Sequence, residues 1–134
     1  MPVVDASVCV ALFNSNEPGH EASRLWIADA GEQEEPIVSP VILLAEVASA
    51  LGRGLGNEEL AREAVSLLRS KLLLELFPVP EALAARAAEI AAELRLRGCD
   101  AIYVGLARQL DMELVTLDRQ QLERGAAVIP TRNP

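Results

Sequence analysis

Short apolar runs alternate along the chain with longer segments in which apolar residues recur at helical spacing. The short runs are typical of buried strands, and they lie at residues 2–5, 36–38, 72–79, 113–118 and 126–129. The longer segments predict helices at residues 6–13, 20–29, 41–51, 58–70, 81–97 and from residue 100 onward, with a short helix or turn at 119–124. Residues 131–134 are expected to form a tail.

Residues with strong positional preferences suggest where the helices begin and end. Ser39 and Pro40 are typical of an N-cap followed by a first helical residue, and Asn57 is expected to cap the next helix. The glycines between residues 52 and 56 predict a break between these two helices. Gly98 is expected to close the long helix that precedes Asp100.

The apolar positions also predict which helical faces are buried. In the second helix, Ala22, Leu25 and Trp26 are expected to point inward. The long helix at 81–97 has a predicted buried stripe and a predicted solvated stripe. The buried stripe contains Leu83, Ala87, Ile90, Ala91 and Leu94, and the solvated one contains Arg86, Glu89, Glu93 and Arg97.

The alternation of short apolar strands with helices predicts an α/β fold with a parallel sheet covered on both faces. Residues 1–134 contain no linker, repeat or low-complexity segment, so we expect a single domain. The composition is typical of a soluble globular protein, with 51% hydrophobic and 24% charged residues. Aromatic residues make up only 3%, so the core must be built from aliphatic side chains.

We expect a reduced, cytoplasmic protein. No apolar run is long enough to span a membrane, and no secretory signal is evident. Cys9 and Cys99 do not make a disulfide framework, although they could still meet in space. The net charge of −8 argues against broad electrostatic capture of nucleic acid. It leaves open a nuclease whose acidic residues are gathered around metal ions.

Three carboxylates are expected at one edge of the sheet. Asp5 ends the first predicted strand, Asp118 ends the fourth, and Asp100 opens the helix that leads into the fourth strand. Sites in open parallel sheets form outside the carboxyl ends of the strands, which would bring these residues together. The alternative for Asp100 is a plain helix-capping role.

Glu46 is the fourth candidate, because it is the only acidic residue in an otherwise apolar helix at 41–51. In the alternative interpretation, Glu46 belongs to a narrow solvated stripe with Ser39, Ser49 and Arg53. Ser7 and Thr116 each lie two residues from a candidate carboxylate and could support it. Ser7 could equally be a helix-start hydroxyl, and Thr116 an ordinary β-branched strand residue.

Several carboxylates in one cleft repel one another at neutral pH unless some are protonated or a cation offsets their charge. Oxygen-only ligands favour Mg²⁺ or Mn²⁺, and metal-activated water attacking a phosphodiester is the matching chemistry. Zinc is disfavoured, since His20 is the only histidine and the cysteines lack metal-ligand spacing. His20 itself is expected to be solvated, and Trp26 to be a core or dimer contact.

Four segments in this order resemble PIN-domain proteins, and more narrowly the VapC-like toxins of type II toxin–antitoxin modules. They are the opening Val-Val-Asp5-Ala-Ser7, the helix with Glu46, the run Cys99-Asp100-Ala-Ile-Tyr-Val-Gly-Leu-Ala, and Leu114-Val-Thr116-Leu-Asp118. The resemblance covers nearly the whole chain. It implies a three-layer α/β/α sandwich with a central parallel sheet, and a Mg²⁺- or Mn²⁺-dependent ribonuclease.

The resemblance also implies roles for individual residues. Asp5, Glu46, Asp100 and Asp118 match the four acidic positions of the family, and Ser7 and Thr116 match its hydroxyl positions. Of these, Asp5 and Asp100 are the expected primary metal ligands, which Asp118 and Glu46 complete directly or through water. Family members are usually homodimers, inhibited by an antitoxin that often places a basic side chain among the carboxylates.

Two other functions are consistent with parts of the pattern. A phosphatase with Asp5 as nucleophile would want a second Asp two residues later, where Ser7 stands. A catalytically silent interaction or dimerisation module would suit the acidic charge and the lack of an evident basic track. Arg24, Arg53 and Arg119 are candidate phosphate contacts, and each could equally be an ion-pair partner on the surface.

Overall fold

Five short strands form one parallel sheet in a computed structural model that describes residues 1–134. The strands are β1 (Val3–Val4), β2 (Val38–Pro40), β3 (Glu75–Phe77), β4 (Leu114–Val115) and β5 (Thr131–Arg132). Their order across the sheet is β3-β2-β1-β4-β5, and every neighbouring pair is parallel. The predicted α/β class with a parallel sheet is confirmed.

Seven α-helices connect the strands. They are α1 (Ala6–Phe13), α2 (His20–Glu32), α3 (Leu43–Ser49), α4 (Glu58–Arg69), α5 (Glu81–Leu94), α6 (Gly98–Leu110) and α7 (Arg119–Gly125). A π-helical turn, Ala50–Gly54, continues α3. No helix combines the length and the apolar character that crossing a membrane requires.

The chain adds strands on two opposite sides of β1. From β1 the chain adds β2 and then β3 on one side, and it returns to add β4 and β5 on the other. Right-handed crossovers therefore put α1 to α4 on one face and α5 to α7 on the opposite face. The result is the three-layer α/β/α sandwich. Its strand order reverses between β1 and β4, where open α/β sheets form their binding crevices.

Aliphatic side chains fill the core on both sides of the central strands. Val3 pairs with Val38 on one side and with Leu114 on the other, and all three are buried. Parallel strands buried on both faces take continuous aliphatic residues, which explains why β1 and β4 could be recognised as short apolar runs. The predicted buried residues Leu83, Ala87 and Ile90 of α5 also lie in the core.

Several predicted helix and strand boundaries are wrong in the first half of the chain. Ser39 and Pro40 belong to β2 rather than to a helix start, because they pair with Leu76 and Phe77 of β3. The Ser39 hydroxyl donates to the Val4 carbonyl at 2.9 Å instead of capping a helix. The glycines do not break the helix at Gly52, since the π-helical turn carries it to Gly54. The third strand is shorter than residues 72–79, because only Glu75–Phe77 pair with β2.

Boundaries in the second half also differ from expectation. Gly98 begins α6 instead of closing the previous helix, which ends at Leu94 with Arg95 in the left-handed conformation. The predicted strand at 126–129 is a turn, because the amides of Val128 and Ile129 donate back to the carbonyl of Gly125. The true β5 lies within the predicted tail and pairs with β4.

The buried face of α2 is not the predicted one. Leu25 is 53% exposed and Ala22 is exposed, whereas Ser23 and Ala30 are buried and Trp26 is half-buried. His20 is half-buried rather than solvated, since its Nδ1 donates to the carbonyl of Ala11 at 2.8 Å. This hydrogen bond ties the start of α2 to α1.

Helices α5 and α6 pack closely against each other at Gly105. A Cβ at Gly105 would lie 3.4 Å from Leu83 Cδ1 and 3.8 Å from the backbone of Ala87. Only a very small side chain fits between these helices at that level.

We expect Gly105→Leu to lower the free energy of unfolding by about 2–3 kcal/mol, because the larger side chain overpacks the helix contact. Gly31→Leu is the matched control, since a Cβ at Gly31 in α2 meets nothing within 4 Å. The control should unfold at a denaturant concentration equal to or above that of the wild type. Equal loss of stability in both variants, measured by urea unfolding, would contradict the packing argument.

Candidate active site

A cleft of about 430 Å³ opens where the strand order reverses, and we name it the carboxylate cleft. It is lined by five carboxylates and a single guanidinium: Asp5, Glu17, Glu46, Asp100, Asp118 and Arg97. The three other clefts of similar volume hold at most three carboxylates each. The carboxylate cleft therefore brings together all four acidic residues that the sequence singled out.

Asp5 lies at the centre of the carboxylate cleft and is only 1% exposed. It follows β1 directly and caps α1, where its extended backbone turns the carboxylate toward β4. Oδ1 accepts a hydrogen bond from the Ser7 hydroxyl at 2.6 Å, and Oδ2 accepts one from Thr116 Oγ1 at 2.6 Å. The side-chain amide of Gln121 donates to Oδ2 as well, at 2.8 Å.

The surroundings of Asp5 raise its pKa to about 6 from an ordinary value of 3.8. Burial is the main cause, because the charged carboxylate loses its contact with water. Hydrogen bonds from Ser7 and Thr116 act in the opposite direction, while the negative charge of Asp100 raises the pKa further. The charged form of Asp5 is thus less stable in the folded protein than it would be in water.

The two hydroxyls near Asp5 also link the strand ends. The Ser7 hydroxyl accepts from the backbone amide of Leu117, and Thr116 Oγ1 accepts from that of Asp118, both at 2.9 Å. Each hydroxyl thus accepts from a backbone amide and donates its proton to the Asp5 carboxylate, which is a much closer partner than the other hydroxyl at 3.4 Å. Of the alternatives open for Ser7 and Thr116, the structure places both side chains against the candidate carboxylate.

Asp100 and Asp118 approach Asp5 from two different helices. Asp100 is the third residue of α6 and is 6% exposed, with Oδ1 accepting from the Gln121 amide at 3.0 Å. Its position in the first helical turn favours a negative charge. Asp118 caps α7, with Oδ1 accepting from the backbone amide of Gln121 at 2.9 Å, and its side chain is 24% exposed.

Glu46 faces the carboxylate cleft from α3. Its Oε2 accepts a hydrogen bond from the hydroxyl of Tyr103, a fully buried side chain of α6. Burial and this contact with Glu46 raise the pKa of Tyr103, so the hydroxyl keeps its proton. The alternative solvated stripe is not present, because Ser39 lies buried in β2.

Gln121 is a member of the site that sequence reasoning missed. Its side chain is 1% exposed, and its Nε2 donates to both Asp5 and Asp100, while its Oε1 is buried without a partner. A polar residue in a short helix gives no sequence signal of burial. The N–H groups of this amide carry partial positive charge and lie between two buried carboxylates, which reduces the repulsion between them.

Arg97 is the second missed member, because the pattern put it on the solvated stripe of α5. In the structure it precedes α6 and bridges Asp100 and Asp118, with Nε 2.8 Å and Nη2 3.1 Å from their Oδ2 atoms. The predicted phosphate contacts lie elsewhere. Arg24 pairs with Glu21 and Arg119 with Glu123, and none of Arg24, Arg53 and Arg119 lines the carboxylate cleft.

The donor set suits a hard divalent cation, since every charged ligand candidate is a carboxylate oxygen. The unpartnered Oε1 of Gln121 adds a further buried oxygen beside the carboxylates. In this arrangement, however, no three acidic, histidine or cysteine side chains are gathered closely enough to enclose an ion. Arg97 and Gln121 lie between the carboxylates instead. The remaining thiols take no part, as Cys9 is buried and Cys99 exposed, both free.

We expect the protein stripped of divalent cations to lose stability as the pH rises from about 4 to about 7, because of Asp5. The folded state keeps the Asp5 proton up to about pH 6, whereas the unfolded chain releases it near 3.8, so deprotonation favours unfolding. Relative to Asp5→Asn, the wild type should lose on the order of 2–3 kcal/mol over this range. Urea unfolding in a chelator measures it.

Asp111→Asn is the control for this measurement, because Asp111 is exposed at the far end of α6. It should follow the wild-type pH profile. If the stability of the wild type and of Asp5→Asn changed with pH in the same way, burial would not raise the pKa of Asp5 as inferred.

Solved structures with the same fold include several toxins. The chain superposes on the toxin VapC20 of Mycobacterium tuberculosis, described as cleaving the sarcin–ricin loop, with a TM-score of 0.81 and 21% identity over 100% of both chains. VapBC2 from Rickettsia felis, bound to a promoter DNA fragment, gives 0.73 and 16% over 98% of this chain and 97% of that one. A toxin–antitoxin complex from Klebsiella pneumoniae gives 0.69 and 20% over 100% and 98%.

Identities this low establish a shared fold. No curated protein matches the chain in sequence. The PIN domain family, in contrast, matches residues 3–127, which include β1 to β4, the helices between them and all four candidate carboxylates. The strand order, the position of the carboxylate cleft and this match agree, and the chain belongs to the PIN domain family.

Proposed function

We propose that this PIN domain is a divalent-cation-dependent endoribonuclease that hydrolyses RNA phosphodiester bonds, acting as the toxin of a toxin–antitoxin pair. The convergence of Asp5, Glu46, Asp100 and Asp118 in one cleft carries the proposal. These side chains come from four separate parts of the chain, and a structural role would not require them to meet. The similarity to toxin structures gives independent support.

Asp5, Asp100 and Asp118 are the residues that would hold Mg²⁺ or Mn²⁺, with Glu46 completing the site from the opposite wall. When bound, such a cation supplies Lewis acidity and lowers the pKa of a coordinated water, which is the chemistry that phosphodiester hydrolysis needs. Both metals take oxygen ligands, and the structure does not favour one over the other.

Other residues of the chain keep these carboxylates in position. Ser7 and Thr116 donate to separate oxygens of Asp5 and thereby fix the plane of its carboxylate. Tyr103 fixes the carboxylate of Glu46 in the same way from the core. Rigid support of this kind is what a hydrolytic site requires, since ligand orientation determines where water and phosphate meet.

A phosphatase that uses Asp5 as its nucleophile fits the geometry poorly. Both carboxylate oxygens of Asp5 accept hydrogen bonds, and the side chain is 1% exposed. A side chain buried to this extent cannot reach a phosphorus atom in line, as a nucleophile must. Ser7, which occupies the position of the second carboxylate in such enzymes, instead supports Asp5.

The proposed partners are RNA as substrate, a cognate antitoxin protein and a second copy of the chain in a homodimer, all in the cytoplasm. Structures of the same fold include toxin–antitoxin complexes, which supports an antitoxin partner. Light scattering tests the dimer, for which we expect about twice the 14.4 kDa chain mass.

We expect Asp5→Asn and Asp100→Asn each to remove Mn²⁺-dependent cleavage of RNA while the protein stays folded. Loss of a residue that merely supports a metal ligand typically costs 10–100-fold in affinity or activity, so we expect about 100-fold or more here. Cleavage of a labelled RNA, circular dichroism and Mn²⁺ calorimetry together measure the effect.

Asp111→Asn is again the matched control, since it makes the same chemical change on α6 outside the carboxylate cleft. It should cleave RNA at the wild-type rate. Wild-type activity in Asp5→Asn at matched Mn²⁺ would overturn the assignment of the site. A folded wild type that binds neither Mn²⁺ nor RNA would favour the catalytically silent interaction module.

A further inference from the structure

Arg97 is the one basic side chain in the carboxylate cleft, and its position there is unusual. Its guanidinium spans two carboxylates from different helices, with Nε on Asp100 and Nη2 on Asp118. The Arg97 side chain is 72% exposed, whereas that of Asp100 is 8% exposed. The exposed side chain of Arg97 thus places a positive charge beside one buried and one half-buried carboxylate.

The negative charge of the carboxylate cleft would favour a contact between Arg97 and an anionic substrate. Five carboxylates line the cleft, and the whole chain has a net charge of −8. A phosphodiester carries a negative charge and would be repelled by this surface. Arg97 is the only positively charged side chain that lines the cleft, so it alone could offer a charge-assisted hydrogen bond to a phosphate oxygen there.

In its present position Arg97 would compete with a cation for the same oxygens. Its guanidinium occupies Oδ2 of both Asp100 and Asp118, which are two of the three candidate ligands. A divalent ion held there would repel the guanidinium and take over its partners. Because the Arg97 side chain is largely exposed, it can leave these carboxylates without disturbing the core.

We propose that Arg97 exchanges between two anions, bridging Asp100 and Asp118 in the metal-free protein and binding a phosphate of the RNA once a divalent cation occupies the site. This inference rests on the proposed nuclease function. A guanidinium suits both positions, because its planar donors match carboxylate and phosphate geometry alike. Arg97 is then a substrate-binding residue of this chain as well as a competitor of the metal.

The exchange predicts opposite effects of one substitution on two ligands. Without the competing guanidinium, Arg97→Ala should bind Mn²⁺ more tightly than the wild type, by about 3- to 10-fold. Calorimetric titration of Mn²⁺ into protein stripped of divalent cations measures this without RNA or catalysis. Arg108→Ala is the matched control, since it removes the same charge from an exposed position of α6 outside the carboxylate cleft.

Arg108→Ala should bind Mn²⁺ as the wild type does. Unchanged or weaker Mn²⁺ binding by Arg97→Ala, with correct folding by circular dichroism, would overturn the competition. The comparison with Arg108→Ala separates direct competition from a general change in net charge, because both variants lose one positive charge.

The second measurement concerns RNA at saturating Mn²⁺. We expect Arg97→Ala to raise the KM for a labelled single-stranded RNA about tenfold, as expected for loss of a charge-assisted hydrogen bond. Arg97→Lys should recover part of this loss, because lysine keeps the charge but lacks the paired donors. Arg108→Ala should keep the wild-type KM and kcat.

The two proposals fail in different ways. An active wild type with unchanged KM and kcat in Arg97→Ala would overturn the phosphate contact and leave the nuclease function standing. A wild type that binds Mn²⁺ but cleaves no RNA would overturn the nuclease function together with the phosphate contact.

Discussion

The hydrogen bonds to the Asp5 carboxylate hold the two halves of the sheet edge together. Ser7 follows β1, Thr116 follows β4 and Gln121 lies in α7, and all three donate to this one side chain. Since β1 and β4 flank the point where the strand order reverses, no covalent continuity fixes their ends relative to each other. Backbone hydrogen bonds pair β1 with β4, and beyond this pairing the buried carboxylate links the segments that follow the two strands. The other carboxylates are arranged around it.

Burying acidic groups together requires neutralising partners, and the chain supplies two different kinds. Gln121 offers an uncharged amide between Asp5 and Asp100 in the buried part of the site. Arg97 offers a full positive charge between Asp100 and Asp118 at the exposed part. The uncharged partner lies in the buried part and the charged partner in the exposed part because burying a charge costs much free energy. A charge at the end of a flexible, exposed side chain stays in contact with water and avoids this cost. Because Arg97 is exposed, another cation could also take its place beside Asp100 and Asp118.

The candidate carboxylates could be predicted because their signals are local. Asp5 and Asp118 follow short aliphatic runs, and Glu46 stands alone in an apolar helix. Arg97 and Gln121 could not be predicted, since each belongs to a polar helical pattern that favours solvent. Packing of α7 buries Gln121, and the start of α6 brings the guanidinium of the exposed Arg97 to the carboxylates. The last strand was misplaced for a similar reason: the apolar run at 126–129 fits a strand, but its backbone amides are satisfied by Gly125.

The energetics of the site argue for a ligand rather than for a structural role. A residue that only stabilised the sheet edge would gain nothing from a pKa raised to about 6, since the raised pKa means that burial destabilises the charged form of Asp5. The disadvantage of the charged form disappears when a cation binds beside it, because the same burial that destabilises an isolated carboxylate strengthens its attraction to a positive ion. Displacing Arg97 then frees the only positive charge of the carboxylate cleft for a second anion. Cation binding and anion binding would thereby be coupled through one side chain, and under the proposed nuclease function the second anion is a phosphodiester.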